Sequence, residues 1–425
     1  MNVTDADARR AAHIATYRGH INFTTAMLAD VNGAGVETRA DGCYVDDQDG
    51  RRYLDCGGYG VLLLGHRHPR VCAAVKAQLD RQPIGTRFLL NPAVAEAAEA
   101  IVRVAPAGLE YVTLLNSGAD AVELAFKLSR LAGKDHVVAL HGGFHGKTLG
   151  ALTLTAHHHY REPFKPLVPG VSHVPFGELE PLAAVLAEAP GRCCVFMEPV
   201  QAEAGVRIPP PGYLRGVGDL CRQHGQWLIL DEIQTGLART GWWWAANRED
   251  VTPDLLLAGK VLSGGVVPVG AVIASPEAWE PLNRDPFLHS ATFANLPLAA
   301  AAATATIATI ESEGLVERAR QLGSTLRDGL AQVVEEYRDE VVTDLRAAGL
   351  LLGIELHESH LTGELIYELF QRGVIVNHSL GSARTLRLTP SSYMTPDDVS
   401  WLCGAFAESL EVVAASRYQL QESCP

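Results

Sequence analysis

Between Tyr111 and Ile273 short apolar runs alternate with stretches of helical periodicity, and this alternation constrains the fold more than any other feature. Strand-like runs occur at 111–115, 136–140, 195–197, 227–230, 255–257 and 269–273. A short apolar run between polar residues or glycine is the pattern of a buried strand. Between the first two, Ala119 to Leu131 places Val122, Leu124, Ala125 and Leu128 at helical spacing and stops at Gly133. Pro211-Gly212-Tyr213 leads into a second helix through Cys221. Strands alternating with helices predict an α/β fold: a mostly parallel sheet covered by helices on both faces. The ends read differently. Gly42 to Asp55 has the form of a hairpin turning at Asp49-Gly50. After Ile310 a charged amphipathic helix precedes short strands at 350–356, 374–377 and 385–388, interleaved with helices. The expected division is an N-terminal segment, 1–65, joining a smaller α+β domain at 311–425, with a large domain at 66–310 between them.

A chain of 425 residues has the length of two to three domains. Its net charge of −14, with no basic block, argues against nucleic acid or an anionic membrane as partner. The first residues carry Asp and Arg and no apolar core of a secretory signal. The longest run of small apolar residues, Leu298 to Ile310, is too short to span a bilayer and reads as a buried helix. Eight cysteines are scattered without a CxxC pair, as reduced thiols of a cytoplasmic protein would be.

Asp231 and Lys260 each follow one of the apolar runs, twenty-nine residues apart. In open α/β sheets chemistry gathers just past the carboxyl ends of the strands. Of the six lysines, at 76, 127, 134, 147, 165 and 260, only Lys260 follows a continuous apolar run and precedes a Gly-Gly pair. Burial there lowers an amine's pKa, which a nucleophilic lysine requires. A strand-end lysine that snorkels to solvent is the plain alternative. Asp231 needs a partner if buried, and a pyridinium N–H is one. Capping a following helix is the other reading, with Gln234 serving either a capping box or a cofactor hydroxyl. A lysine that forms a Schiff base and a carboxylate on a ring nitrogen are what pyridoxal 5'-phosphate needs from its protein.

Ser117-Gly118-Ala119 lies where a strand turns into a helix. Backbone N–H groups at such a helix start form an anion site suited to a phosphate, and Ser117 adds a hydroxyl. Phe144, in His141-Gly142-Gly143-Phe144-His145-Gly146, is a plausible stacking plate for a flat ring or else a loop anchor in the core. The His157-His158-His159 tract has no adjoining carboxylate or cysteine cluster and reads as a solvated loop, and Trp242-Trp243-Trp244 reads as packing surface.

Together these segments resemble the class III pyridoxal-phosphate aminotransferases of fold type I, from about Gly42 to Pro396, with wording similar to the ornithine branch. Ser117-Gly118-Ala119 resembles the family's phosphate loop, and Phe144-His145-Gly146 its ring-stacking segment. The segments 198–206 and 231–241, Gly259-Lys260, and the loop His289 to Phe293 are similar to further family motifs. The resemblance implies a homodimer with shared active sites, acting on a small-molecule amine and a keto acid. It implies Asp231 on the pyridine nitrogen, Gln234 near the ring hydroxyl, Phe144 and His145 at the ring, and Thr292 on the neighbouring subunit's phosphate. Glu203 and Arg387 resemble the pair in which Glu shields Arg from an ω-amine and releases it for glutamate. Tyr59 matches a substrate-pocket aromatic. The chain departs from the ornithine branch at Lys147, where that branch has Arg, and in Ala294 to Pro297. A biosynthetic aminotransferase with glutamate and 2-oxoglutarate as one couple is the expected activity. An aminomutase, racemase or decarboxylase shares the same residues, and a non-catalytic protein of this fold is the third reading.

Overall fold

The structure, a computed structural model, describes residues 3–86, 88–338 and 340–422. Two helices, Val3–His20 and Phe23–Val31, precede an antiparallel meander of β1 (Glu37–Asp41), β2 (Tyr44–Asp47) and β3 (Arg52–Asp55). The hairpin turns at Asp49-Gly50, as expected. Asp47 Oδ1 accepts the N–H groups of Asp49 and Arg51 at 2.9 Å each. Gly50 sits at φ 80°, a conformation natural to glycine.

The central sheet has seven strands: β4 (Tyr111–Leu115), β5 (His136–Leu140), β6 (Val171–Val174), β7 (Cys193–Met197), β8 (Trp227–Asp231), β9 (Leu255–Gly259) and β10 (Gly270–Ala274). Their order is β4-β10-β9-β8-β7-β5-β6. β10 is antiparallel to both neighbours, and the other pairs are parallel. Every residue of β7, β8 and β9 is buried. Side chains alternate between the two faces: Leu228 and Leu230 enter one apolar core, Trp227 and Ile229 the other. Burying each such side chain contributes roughly 1.5–3 kcal/mol before entropy is counted.

The C-terminal strands are β11 (Val342–Ala348), β12 (Leu351–Leu356), β13 (Val374–Ile375), β14 (Asn377–Ser379) and β15 (Ser382–Leu388). Four of them form an antiparallel sheet, β11-β12-β15-β14. The expected strand over 374–377 is divided: β13 pairs in parallel with β3, and β14 pairs with β15. The N-terminal meander and the C-terminal region therefore share one sheet.

The Ala-rich segment is the helix Pro297–Ser312, buried along Ala299, Ala302, Ala303 and Ile307. Its small side chains allow close packing on the helices Pro69–Arg81 and Pro92–Val104. The last helix, Pro396–Glu422, is long and apolar enough by composition over 396–416 to cross a membrane. It packs instead on the helices Leu315–Glu335 and Ser359–Gln371, burying Leu402, Phe406, Leu410 and Val413. Trp244 is core, donating from Nε1 to Val104 O at 2.7 Å, while Trp242 lies under Arg320. His158 and His159 lie in a short helix, His158–Arg161, and no metal-binding cluster occurs among the described residues. Seven cysteines are free, and Cys424 lies outside the described residues.

Candidate active site

The turns after β4, β5, β7, β8 and β9 meet at a cavity of about 180 Å³. Gly118 and Ala119 come from the first, Phe144, His145 and Gly146 from the second, and Glu198, Ala202 and Glu203 from the third. Asp231, Ile233 and Gln234 close one side, and Lys260 another. The parallel strands put all these turns at one edge of the sheet, as expected for this topology.

Asp231 is the last residue of β8 and is 4% exposed. Its Oδ2 faces His145 Nδ1 at 2.8 Å, and its Oδ1 accepts the Ile233 N–H at 3.1 Å. Turns rather than a helix follow it, so the helix-cap reading is corrected. His145 is buried, donates its backbone N–H to Thr155 Oγ1 at 2.9 Å and meets the Phe196 ring edge-on at 4.8 Å between centroids. With Nδ1 against a carboxylate, the ring hydrogen belongs on that nitrogen.

Lys260 begins a short 3-10 turn, Lys260–Ser263, and has φ 44°. A left-handed conformation costs a lysine roughly 1–2 kcal/mol, and such strain concentrates at functional sites. Burial pulls its ammonium below the ordinary lysine range, against the opposing charges of Glu203 and Asp231. The snorkelling alternative does not describe a lysine that lines the cavity together with Asp231.

Glu203 and Arg387 form a buried ion pair between Oε1 and Nη1. Glu203 Oε2 also accepts the Leu380 N–H at 2.9 Å. Arg387 is on β15, so this pair joins the central sheet's edge to the C-terminal sheet. Arg387 stands behind Glu203, outside the cavity lining.

Besides Arg387, three expected residues do not line the cavity within one chain. The Ser117 hydroxyl is turned to cap the following helix, accepting from Asp120 N at 3.1 Å. Tyr59 occupies a turn at φ 49° and is 70% exposed. Thr292 lies in an exposed loop. Two buried acids were not anticipated. Glu198 accepts the N–H groups of Phe144 and Ala202 at 2.9 and 3.3 Å. Glu232 accepts those of Ala245 and Ala246 at 3.0 and 2.8 Å, together with the Thr235 hydroxyl.

The residues present fit a flat, phosphorylated, ring-nitrogen cofactor. Both amide atoms of Gln234 and Nε2 of His145 are buried without a hydrogen-bond partner among the described residues, which leaves polar atoms for a ligand. A Cβ on Gly118 would come within 2.8 Å of the Ile233 side chain, so glycine lets the helix start lie close to that wall. The N–H groups there have the placement of an anion site.

Comparison with known proteins agrees with this geometry. The family profile for Aminotransferase class-III matches residues 29–410. Ornithine aminotransferase from Toxoplasma gondii, crystallised with partial occupancy of PLP at its active site, superposes with a TM-score of 0.85 at 29% identity, covering 93% of this chain and 96% of that one. An (S)-enantioselective omega-transaminase from Thermomicrobium roseum gives a TM-score of 0.87 at 26% identity, covering 95% and 98%. Acetylornithine aminotransferase from Elizabethkingia anophelis gives 0.78 at 28% identity, covering 91% and 98%. A profile match over most of the chain, on a fold whose strand ends bring a lysine and an aspartate into one cavity, places this chain in the class III aminotransferase family of pyridoxal-phosphate-dependent enzymes.

Proposed function

We propose that the enzyme moves an amino group between an amine or ω-amino compound and the glutamate/2-oxoglutarate couple by ping-pong chemistry. The observation that carries this is one cavity holding Lys260 and Asp231, with Glu203 in its wall and Arg387 paired to Glu203 from behind. Pyridoxal phosphate, once bound, supplies a ring that takes up the electron pair released at the substrate carbon. The chain does the rest. Lys260, its charge disfavoured by burial, holds and moves the proton at Nζ. Asp231, oriented by His145 and the Ile233 N–H, keeps a negative charge facing the ring nitrogen. Gln234 offers its free amide to the ring hydroxyl, Phe144 covers the ring face, and Ser117, Gly118 and Ala119 take the phosphate at the helix start.

Arg387 suits a substrate α-carboxylate, and Glu203 neutralises it when the substrate has none near the reacting carbon. Tyr59 serves as a substrate-pocket aromatic, its neighbour Gly60 packing against Gln234, and Thr292 completes the site from the neighbouring subunit of a homodimer, a reading favoured by its exposure within one chain. Lys147 lies with Nζ 4.4 Å from the Tyr160 ring, and Tyr160 donates to Leu380 O at 3.0 Å, beside Glu203. We assign the enzyme to a biosynthetic step in the cytoplasm, in keeping with its free cysteines. The pairing of β3 with β13 supports 1–65 and 311–425 as one small domain against 66–310.

The test is a panel of amines and ω-amino compounds offered with 2-oxoglutarate to the cofactor-loaded protein, reading glutamate formed. At least one class should produce glutamate. Release of carbon dioxide or racemisation without added keto acid would replace this reading with a different reaction.

A further inference from the structure

Glu198, the residue after β7, has a role that none of the assignments above supplies. It lines the cavity and is 4% exposed. Its Oε1 accepts the Phe144 N–H at 2.9 Å and its Oε2 the Ala202 N–H at 3.3 Å. Phe144 is the aromatic plate of the cavity. Ala202 immediately precedes Glu203, whose carboxylate holds Arg387 and the Leu380 N–H. One carboxyl group thus joins the loop carrying the plate to the turn carrying the ion pair.

The charges that face it decide its protonation. His145 comes from the loop after β5, Asp231 from β8, Lys260 from the turn after β9, Glu203 from its own turn and Arg387 from β15. Arg387 is matched by Glu203. Asp231 is held by His145 and the Ile233 N–H. Burial already drives Lys260 toward its neutral form. Among the described residues of the cavity no cation is left to balance a charged Glu198. Two N–H donors favour the carboxylate. Burial and the negative Asp231 outweigh them and hold the Glu198 carboxyl well above the usual range.

We propose that Glu198 is a positioning residue: its carboxyl group ties the Phe144 loop to the Ala202–Glu203 turn and keeps the aromatic plate and the ion pair in register. This rests on the cofactor-site reading given above. A neutral strut adds no further charge to the cavity that Asp231 and Lys260 share. It also leaves Arg387 a single carboxylate to exchange for that of a substrate.

The experiment uses the cofactor-loaded enzyme and the variants Glu198→Gln, Glu198→Asp and Glu198→Ala. Three quantities are read: cofactor Kd by equilibrium dialysis, the pH midpoint of the visible absorbance band, and the two half-reaction rates by stopped flow. Glu198→Gln is uncharged and keeps the carbonyl that serves Phe144, so its midpoint should stay within about 0.3 pH units of wild type. Were Glu198 ionised, its replacement would remove a nearby negative charge and lower the midpoint by about a unit or more, which would overturn the proposal. Glu198→Ala leaves two buried N–H groups without an acceptor, so cofactor Kd should rise about tenfold and both half-reactions should slow. Glu198→Asp keeps an acid too short to bridge both groups, and should raise Kd in the same direction even if Glu198→Ala does not fold. Wild-type Kd and half-reactions in Glu198→Asp, or in a folded Glu198→Ala, would refute the role. A loss of thermal stability alone, with Kd and rates intact, would make Glu198 merely structural. A wild-type enzyme with no visible band and no glutamate formation would defeat the cofactor reading itself, a separate outcome.

Discussion

Lys260 is the residue on which the assigned chemistry turns. Lys260→Ala should fold normally, lack the visible absorbance of a covalently held cofactor and show essentially no turnover, as read by absorbance and glutamate assay. Arg387→Ala should slow the glutamate half-reaction by about 30- to 1,000-fold, the loss expected of a charge-assisted bidentate contact. Glu203→Ala should slow the amine half-reaction while sparing glutamate. Equal losses in both half-reactions would mean a fixed structural ion pair. Glu232 makes a separate prediction. Burial raises its carboxyl from the ordinary 4.5 to about 7, against the Thr235, Ala246 and Ala245 hydrogen bonds. The folded protein therefore keeps a proton that the unfolded chain has lost between those two values. That contribution to stability is full at the acid side of the window and fades as pH rises through it. Comparing Glu232→Gln with wild type in urea from pH 5 to 8 should show the wild-type advantage shrinking by on the order of 3 kcal/mol. A difference independent of pH would contradict this. Lys260 and Asp231 were legible in the sequence because each ends an apolar run. Glu198 and Glu232 were not, because their burial depends on partners that only the fold supplies. For Glu232 these are the backbone of Ala245 and Ala246, thirteen and fourteen residues on.

Among the elements, β10 sets the geometry of the phosphate turn. It runs antiparallel between β4 and β9, with Gly270 opposite Leu115 and Gly259. A Cβ at Gly270 would stand 2.1 Å from Ser117 O and 3.1 Å from Gly118 N. Gly270→Ala must push the helix start away from the strand, and backbone cannot yield as a side chain does. We expect a loss of roughly 1–3 kcal/mol or more by urea unfolding, with weaker cofactor binding. Unchanged stability would show that the turn can move. Of the strands that were legible, β5, β7, β8, β9 and β10 lie inside the sheet, where nearly every residue is apolar, and the edge strand β4 was legible through Tyr111, Val112, Leu114 and Leu115. β6 and β11 went unread: Val171-Ser172-His173-Val174 and Val342 to Ala348 carry polar residues because each is an edge strand with one side unpaired. The helix Val3–His20 was unread for a related reason. It is mostly exposed and has no apolar stripe to announce it.

At the scale of the whole molecule, apolar side chains project where no part of the same chain covers them. Phe88 is 98% and Leu90 101% exposed, and Leu89 and Phe287 are also exposed. An uncovered apolar surface of this kind is characteristic of an interface. Light scattering should give twice 45.6 kDa, and Phe88→Glu should weaken both assembly and cofactor loading. A fully loaded, active monomer would contradict the dimer. The shared sheet at the chain's two ends bears on how the protein is made. β3 pairs with β13 in the register Leu54 to Val374, so one edge of the N-terminal meander stays open until about 320 more residues have left the ribosome. At roughly 5–20 residues per second that wait lasts about 15–60 s. The first strands to emerge are among the last to be completed, and during synthesis the nascent meander is exposed to proteases and to pairing with other chains.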